Sequence, residues 1–117
     1  MILIIDQNKE YLAFYKDFYK MLNINSIGFT NAAEAYDHFI NSNNKFKLIT
    51  TELSSGCKND GLWLAQNINL ISKLPIVLIT ADQLADENEL RLFSALLPKP
   101  FKARSLTAIL QVYCNIY

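Results

Sequence analysis

The run Ile76-Val77-Leu78-Ile79-Thr80, introduced by Pro75, is apolar or β-branched at every position instead of at every second one. A strand with one wet face alternates, so an unbroken run needs cover on both sides and belongs inside a parallel sheet. Ile2-Leu3-Ile4-Ile5 has the same character and closes on Asp6. Parallel strands cannot be joined by a tight turn and need longer crossovers, usually helices. The chain must therefore alternate strands with helices.

The segments between the runs meet that demand. Tyr11, Phe14, Tyr15, Phe18 and Leu22 recur at helical spacing. Residues 24–29 form a weaker strand, and Asn31 with Glu34 makes the capping box of a second helix. Its apolar face is Ala32, Ala35, Tyr36, Phe39 and Ile40, and the tract 41–44 ends it. Phe46 to Leu53 reads as a third strand and residues 54–60 as a polar loop. Leu64, Ala65, Ile68 and Ile71 are the inward stripe of a third helix. Beyond the fourth strand, Asp86 and Glu89 open a short helix that runs through Phe93, and Ala95 to Leu97 is a brief fifth strand. Leu106, Ile109, Leu110 and Tyr113 face inward from a last helix. Right-handed crossovers turn this alternation into an α/β domain, (βα)5, with a doubly wound parallel sheet in strand order 2-1-3-4-5.

One such domain uses all 117 residues, which leaves no room for a second core. With 51% hydrophobic and 19% charged residues the chain can pack a core and is not a disordered segment. Eleven basic residues balance eleven acidic ones with no basic stripe, which argues against direct nucleic-acid binding. Cys57 and Cys114 match no metal or redox spacing, and two thiols in a core-rich domain point to a reducing compartment. The apolar opening is too short for a signal-peptide core, and no run can span a bilayer. The expectation is a soluble cytoplasmic protein with no membrane partner. Most of the aromatic residues belong to inward stripes. Leu12, Tyr19 and Trp63 fall outside them and are expected to be exposed, fit for a partner.

In an open parallel sheet, ligands bind beyond the carboxyl ends of the strands, where strand order reverses. The residues delivered there are Asp6 and Gln7 after strand 1, Glu52 after strand 3, Thr80 after strand 4 and Lys99 after strand 5. Two acids, a hydroxyl and an ammonium in one crevice make a phosphoryl or metal site by their chemistry.

Five blocks carry a resemblance: Ile2-Leu3-Ile4-Ile5-Asp6, Leu48-Ile49-Thr50-Thr51-Glu52-Leu53, Asp60-Gly61, Ile76-Val77-Leu78-Ile79-Thr80-Ala81 and Lys99-Pro100-Phe101. In this order and spacing they resemble the signature blocks of the receiver (CheY-like) domains of bacterial two-component response regulators, which have a flavodoxin-like fold. The resemblance implies two adjacent acids after strand 1 that hold Mg²⁺ and an aspartate after strand 3 that accepts phosphate from a histidine kinase. It further implies a switch hydroxyl, matched by Thr80, a phosphate-pairing lysine, matched by Lys99, and a cis peptide before Pro100. The chain departs from it where chemistry is done. Gln7 stands in place of the second acid, Glu52 in place of the phosphoacceptor, and Leu96 in place of the aromatic switch. The loop from Glu52 to Asp60-Gly61 is one residue longer than the family pattern and has Ser55-Gly56 where Met-Pro is usual. The stretch from Thr80 to Lys99 is about three residues short, so the fourth helix should be short.

Mg²⁺ demands near-octahedral oxygen ligands and gives up water reluctantly, and neutral Gln7 cannot supply the missing charge. Glu52 reaches about 1.5 Å too far into the phosphoryl group's space, enough to spoil in-line geometry. The expected protein is thus an atypical, phosphorylation-independent receiver with no cofactor, its Mg²⁺ site lost, and it is not an enzyme. It would dock a sensor kinase, an output protein or itself through the face of the fourth helix, fifth strand and fifth helix. Glu52 reads either as an imitation of phosphoaspartate or as drift. A working phosphoacceptor is the second reading, and a small-ligand or flavin-binding domain the third, although residues 6–10 offer no Gly- or Ser/Thr-rich phosphate loop.

Overall fold

The protein is described by a computed structural model covering residues 1–42, 45–54, 60–82 and 87–116. The unbroken apolar runs become β1 (Ile2–Ile5), β3 (Leu48–Thr51) and β4 (Ile76–Thr80), each buried at every residue. β2 (Ser26–Phe29) and β5 (Ala95–Pro98) are less buried and lie at the two edges. All pairings are parallel, and the sheet order is β2-β1-β3-β4-β5.

The helices are α1 (Lys9–Met21), α2 (Ala32–Asn41), α3 (Asp60–Ile71), α4 (Glu87–Leu90) and α5 (Ala103–Cys114). Because strand side chains alternate between faces, Ile2, Ile4, Leu48, Val77 and Ile79 pack with Leu12, Tyr15 and Tyr19 of α1 and Leu106 and Leu110 of α5. Leu3, Ile5, Ile49 and Ile76 pack on the opposite face with Ala32 and Ala35 of α2 and Leu64, Ala65 and Ile68 of α3. A third, small cluster joins Leu53, Leu62 and Leu78, with Leu92 and Phe93 packed on it.

The start of α2 is capped as expected, with the Asn31 side chain accepting from the Glu34 N–H at 2.8 Å. The fourth helix is short, at four residues; its expected cap, Asp86, lies outside the described residues. Two strands are shorter than their sequence suggests: β2 begins at Ser26 rather than residue 24, and β3 spans Leu48–Thr51 rather than 46–53.

The buried face of α1 also differs. Leu12 and Tyr19, expected outside, are 8% and 0% exposed, while Phe14, expected inside, is 41% exposed. The apolar arc of this helix is wider than the sheet covers, and its outer edge meets the loop before α5: Phe101 stacks on Tyr15 at 6.1 Å and leans on Phe14 at 6.2 Å. Trp63 is exposed as expected, but Ile40 and Ile71, read as inward, are exposed as well. Cys114 is a buried free thiol, and burial pushes it above its ordinary range; Cys57 lies outside the described residues. Among the described residues no helix is long and apolar enough to cross a membrane.

Candidate functional site

Backbone bonds one residue past the strands pin the crevice. The Asp6 N–H donates to the Phe29 carbonyl at 3.1 Å, the Glu52 N–H to Ile5 at 3.0 Å, and the Lys99 N–H to Thr80 at 2.9 Å. The strand ends therefore share one level, and their side chains meet. Lys99 Nζ lies 2.8 Å from Asp6 Oδ2 and 2.6 Å from Glu52 Oε2. The Thr80 hydroxyl donates to Glu52 Oε1 in a short hydrogen bond. That same oxygen accepts from the Leu53 N–H at 3.1 Å. Thr80 in turn accepts from the Asp82 N–H at 3.1 Å.

Asp6 does not cap α1 directly. Its Oδ1 accepts from the Asn8 N–H at 2.9 Å, and Asn8 is the cap, accepting from the N–H groups of Glu10 and Tyr11. This turn delivers Tyr11 over the crevice, where Lys99 Nζ sits 3.9 Å from its ring centroid. The cation thus has two carboxylates and an aromatic face as partners, the last adding about 0.5–2 kcal/mol by the usual scale of such contacts. Neither Asn8 nor Tyr11 was singled out for the site from sequence. The signal for Tyr11 was its place in the first turn after a strand-end acid.

Residues Asp6 and Glu52 are 2% and 9% exposed. Burial raises the Asp6 carboxyl above its ordinary value, against the pull of Lys99 and the Asn8 N–H. Burial alone would lower Lys99, but its hydrogen bonds to Asp6 and Glu52 and their charge outweigh that and hold it above its ordinary value. Gln7 is exposed and lines the same open depression of about 240 Å³ with Asn8, Ser54, Ala81 and Asp82. The Lys99–Pro100 peptide is cis. The unusual loop residues Ser55 and Gly56 lie outside the described residues. Trp63 packs edge-on against Tyr36 of α2 at 5.3 Å.

Gly61 fixes the approach of α3 to this site. A Cβ there would lie 2.1 Å from the Glu52 carbonyl oxygen, and the Gly61 N–H donates to Leu53 at 2.9 Å. Only glycine permits that closeness.

A magnesium ion finds a poor fit in this arrangement. Both Glu52 oxygens and both Asp6 oxygens already accept hydrogen bonds from protein donors, and Gln7 brings no charge. Among the described residues no group of three or more His, Cys, Asp or Glu is placed to hold a metal. Chemically the site is a buried network in which one ammonium and one hydroxyl saturate a carboxylate.

No protein-family model matches the sequence, and no curated protein does. Comparison of the fold with solved structures finds many similar chains. A two-component response regulator from Clostridium difficile is 27% identical, with a TM-score of 0.86, over 97% of this chain and 94% of that one. The receiver domain of a sensor histidine kinase from Pseudomonas aeruginosa, solved with magnesium in its active-site cleft, is 21% identical with a TM-score of 0.83 and covers 97% and 96%. A response regulator from Thermotoga maritima, in complex with magnesium and a beryllium fluoride, is 19% identical with a TM-score of 0.84 over 96% of each chain.

Proposed function

We propose that this chain, whose fold and structural neighbours are those of response-regulator receiver domains, is a signalling module that docks protein partners without being phosphorylated. The observation that carries this is the state of Glu52. The carboxylate at the phosphoacceptor position has one oxygen on Lys99 and the other on Thr80 and the Leu53 N–H. Each of its oxygens is held by a protein donor, and it is one methylene longer than an acceptor that would present itself to an in-line phosphoryl group.

The same contacts favour imitation over drift. A residue that had merely lost its task would have no reason to hold the switch hydroxyl and the lysine at once. Glu52 has less charge and fewer acceptor oxygens than a phosphoryl group, but it satisfies both donors continuously. On this reading the module is constitutively in one signalling state, needs no metal, and catalyses nothing. Its docking face is that of α4, β5 and α5, where Leu90, Leu96 and Val112 are exposed, and its partners are a sensor kinase, an output protein or a second copy.

The test is incubation of the purified chain with acetyl phosphate and Mg²⁺, followed by intact-mass spectrometry. No added phosphoryl group is expected, and calorimetric titration should detect no magnesium binding at millimolar concentration. A stable phosphoryl adduct at Glu52 would overturn the proposal in favour of a working phosphoacceptor.

A further inference from the structure

Helix α3 is apolar over more of its circumference than the fold covers. Leu64, Ala65 and Ile68 are buried against the sheet, yet Trp63, Leu70 and Ile71 are 42%, 82% and 56% exposed. Trp63 and Leu70 stand two turns apart on the outermost line of the helix. The strip continues onto α2, whose Tyr36 packs on Trp63 and whose Ile40, one turn further on, is 50% exposed. A helix whose outer face meets water ordinarily carries charges there. Here no residue between Asp60 and Lys73 is charged. Gln66 and Asn67 stand between Trp63 and Leu70 on the outward side, so the strip joins exposed apolar residues through neutral amides, and its lack of charge together with an exposed tryptophan suits an interface core.

We propose that two copies of the chain meet on this face, α3 against α3, antiparallel across a two-fold axis. The ends of the helix argue for a second copy over another partner. Asp60 is its first residue, and Lys73 follows its last turn. The two lie about 20 Å apart along the helix direction. Antiparallel pairing brings each Asp60 to the other copy's Lys73 with only neutral side chains between. The pattern is complementary to itself, which is what an isologous interface requires. This surface is separate from the α4–β5–α5 face and does not depend on the reading of Glu52.

Sedimentation velocity on the full chain, from micromolar to near-millimolar concentration, should show a reversible monomer–dimer equilibrium. In this register Leu70 meets the other copy's Trp63, so Leu70→Glu puts a carboxylate on an apolar contact and should weaken dimerisation roughly tenfold or more, while circular dichroism and the urea midpoint, both read at micromolar concentration where the chain is monomeric, stay unchanged. Lys73→Glu should weaken it also, and the reversed pair Asp60→Lys with Lys73→Glu should recover the lost affinity. A chain that stays monomeric throughout overturns the proposal and leaves the face to a different protein. So does a dimer that tolerates Leu70→Glu but is broken by Leu96→Glu, or a reversed pair no tighter than Lys73→Glu alone.

Discussion

Lys99 decides the electrostatics of the crevice, because it is the one cation within reach of both Asp6 and Glu52 among the described residues. Lys99→Met would leave two nearly buried carboxylates facing each other without compensation, a change that typically costs about 3–5 kcal/mol. Urea denaturation should show a loss of that order, a large share of a small domain's stability; a loss below about 1 kcal/mol would mean that the network is no tighter than a surface pair. Asp6 behaves oppositely, since burial already disfavours its charge. Asp6→Asn keeps an acceptor for the Asn8 N–H and leaves Lys99 paired with Glu52, and although its amide N–H groups replace the oxygen that accepted from Lys99, removal of the buried charge is the larger effect. The variant should therefore melt a few degrees higher at neutral pH. The sign follows from linkage. An acid whose folded pKa is raised is penalised above that value and is relieved below its ordinary value near 3.8. The advantage of Asp6→Asn should accordingly vanish as pH falls through the carboxylate range, and a melting difference that grows on acidification would refute the assignment. Lys99 has its charged form favoured, so its contribution is fully present at neutral pH and is lost only as pH rises beyond its ordinary 10.5.

At the scale of elements, the contact between the start of α3 and the end of β3 controls where Glu52 points. Gly61→Ala would press a methyl group to 2.1 Å from one backbone oxygen and 2.7 Å from the next. Backbone cannot yield as a side chain can, so α3 must draw back. At Gly28 the added methyl group meets only side-chain atoms, of Leu12 and Lys16. Gly61→Ala should cost about 2–3 kcal/mol, and Gly28→Ala distinctly less; equal urea midpoints for the two variants would show that the β3–α3 connection is soft. How far the elements could be read from sequence depends on the same distinction between what is local and what is not. β1 and β4 were legible because unbroken β-branched runs leave no other burial pattern. β3 overran because Phe46 and Leu53 are apolar for reasons outside the strand: Phe46 stacks on Phe39, and Leu53 fills the cluster with Leu62 and Leu78. In α1 the large apolar residues spread over about half the helix, a wider arc than the sheet covers, so spacing alone could not fix which part of it faces the sheet. That phase is set by Phe101, which arrives from the other end of the chain. The crevice residues were legible through topology, which dictates which strand ends are neighbours. The Asn8 cap and the Tyr11 ring over Lys99 depend on one turn and one rotamer, which spacing does not encode.

At the scale of the whole molecule, three strands from distant parts of the sequence each contribute one charge to the crevice, and the sum sets how strongly the crevice can attract a metal ion. Asp6 and Glu52 bring two negative charges and Lys99 one positive, so a magnesium ion must compete with an ammonium already in contact with both acids. Two features are in deficit: a third carboxylate at the end of β1, where Gln7 stands, and a shorter reach at the end of β3, where Glu52 spans to Lys99 and Thr80 at once. The double variant Gln7→Asp with Glu52→Asp addresses both, while Asp6, Thr80 and Lys99 remain in place. It should bind Mg²⁺ at millimolar concentration by calorimetry and take up phosphoryl from acetyl phosphate, visible as a mass increase on the intact chain. Neither single change should suffice. Gln7→Asp alone leaves Glu52 extended across the space the ion needs, and Glu52→Asp alone leaves too little negative charge to strip water from the ion. Metal binding by either single variant would mean that only one deficit matters, and a double variant that binds no magnesium would mean that charge and reach are not what this chain lacks.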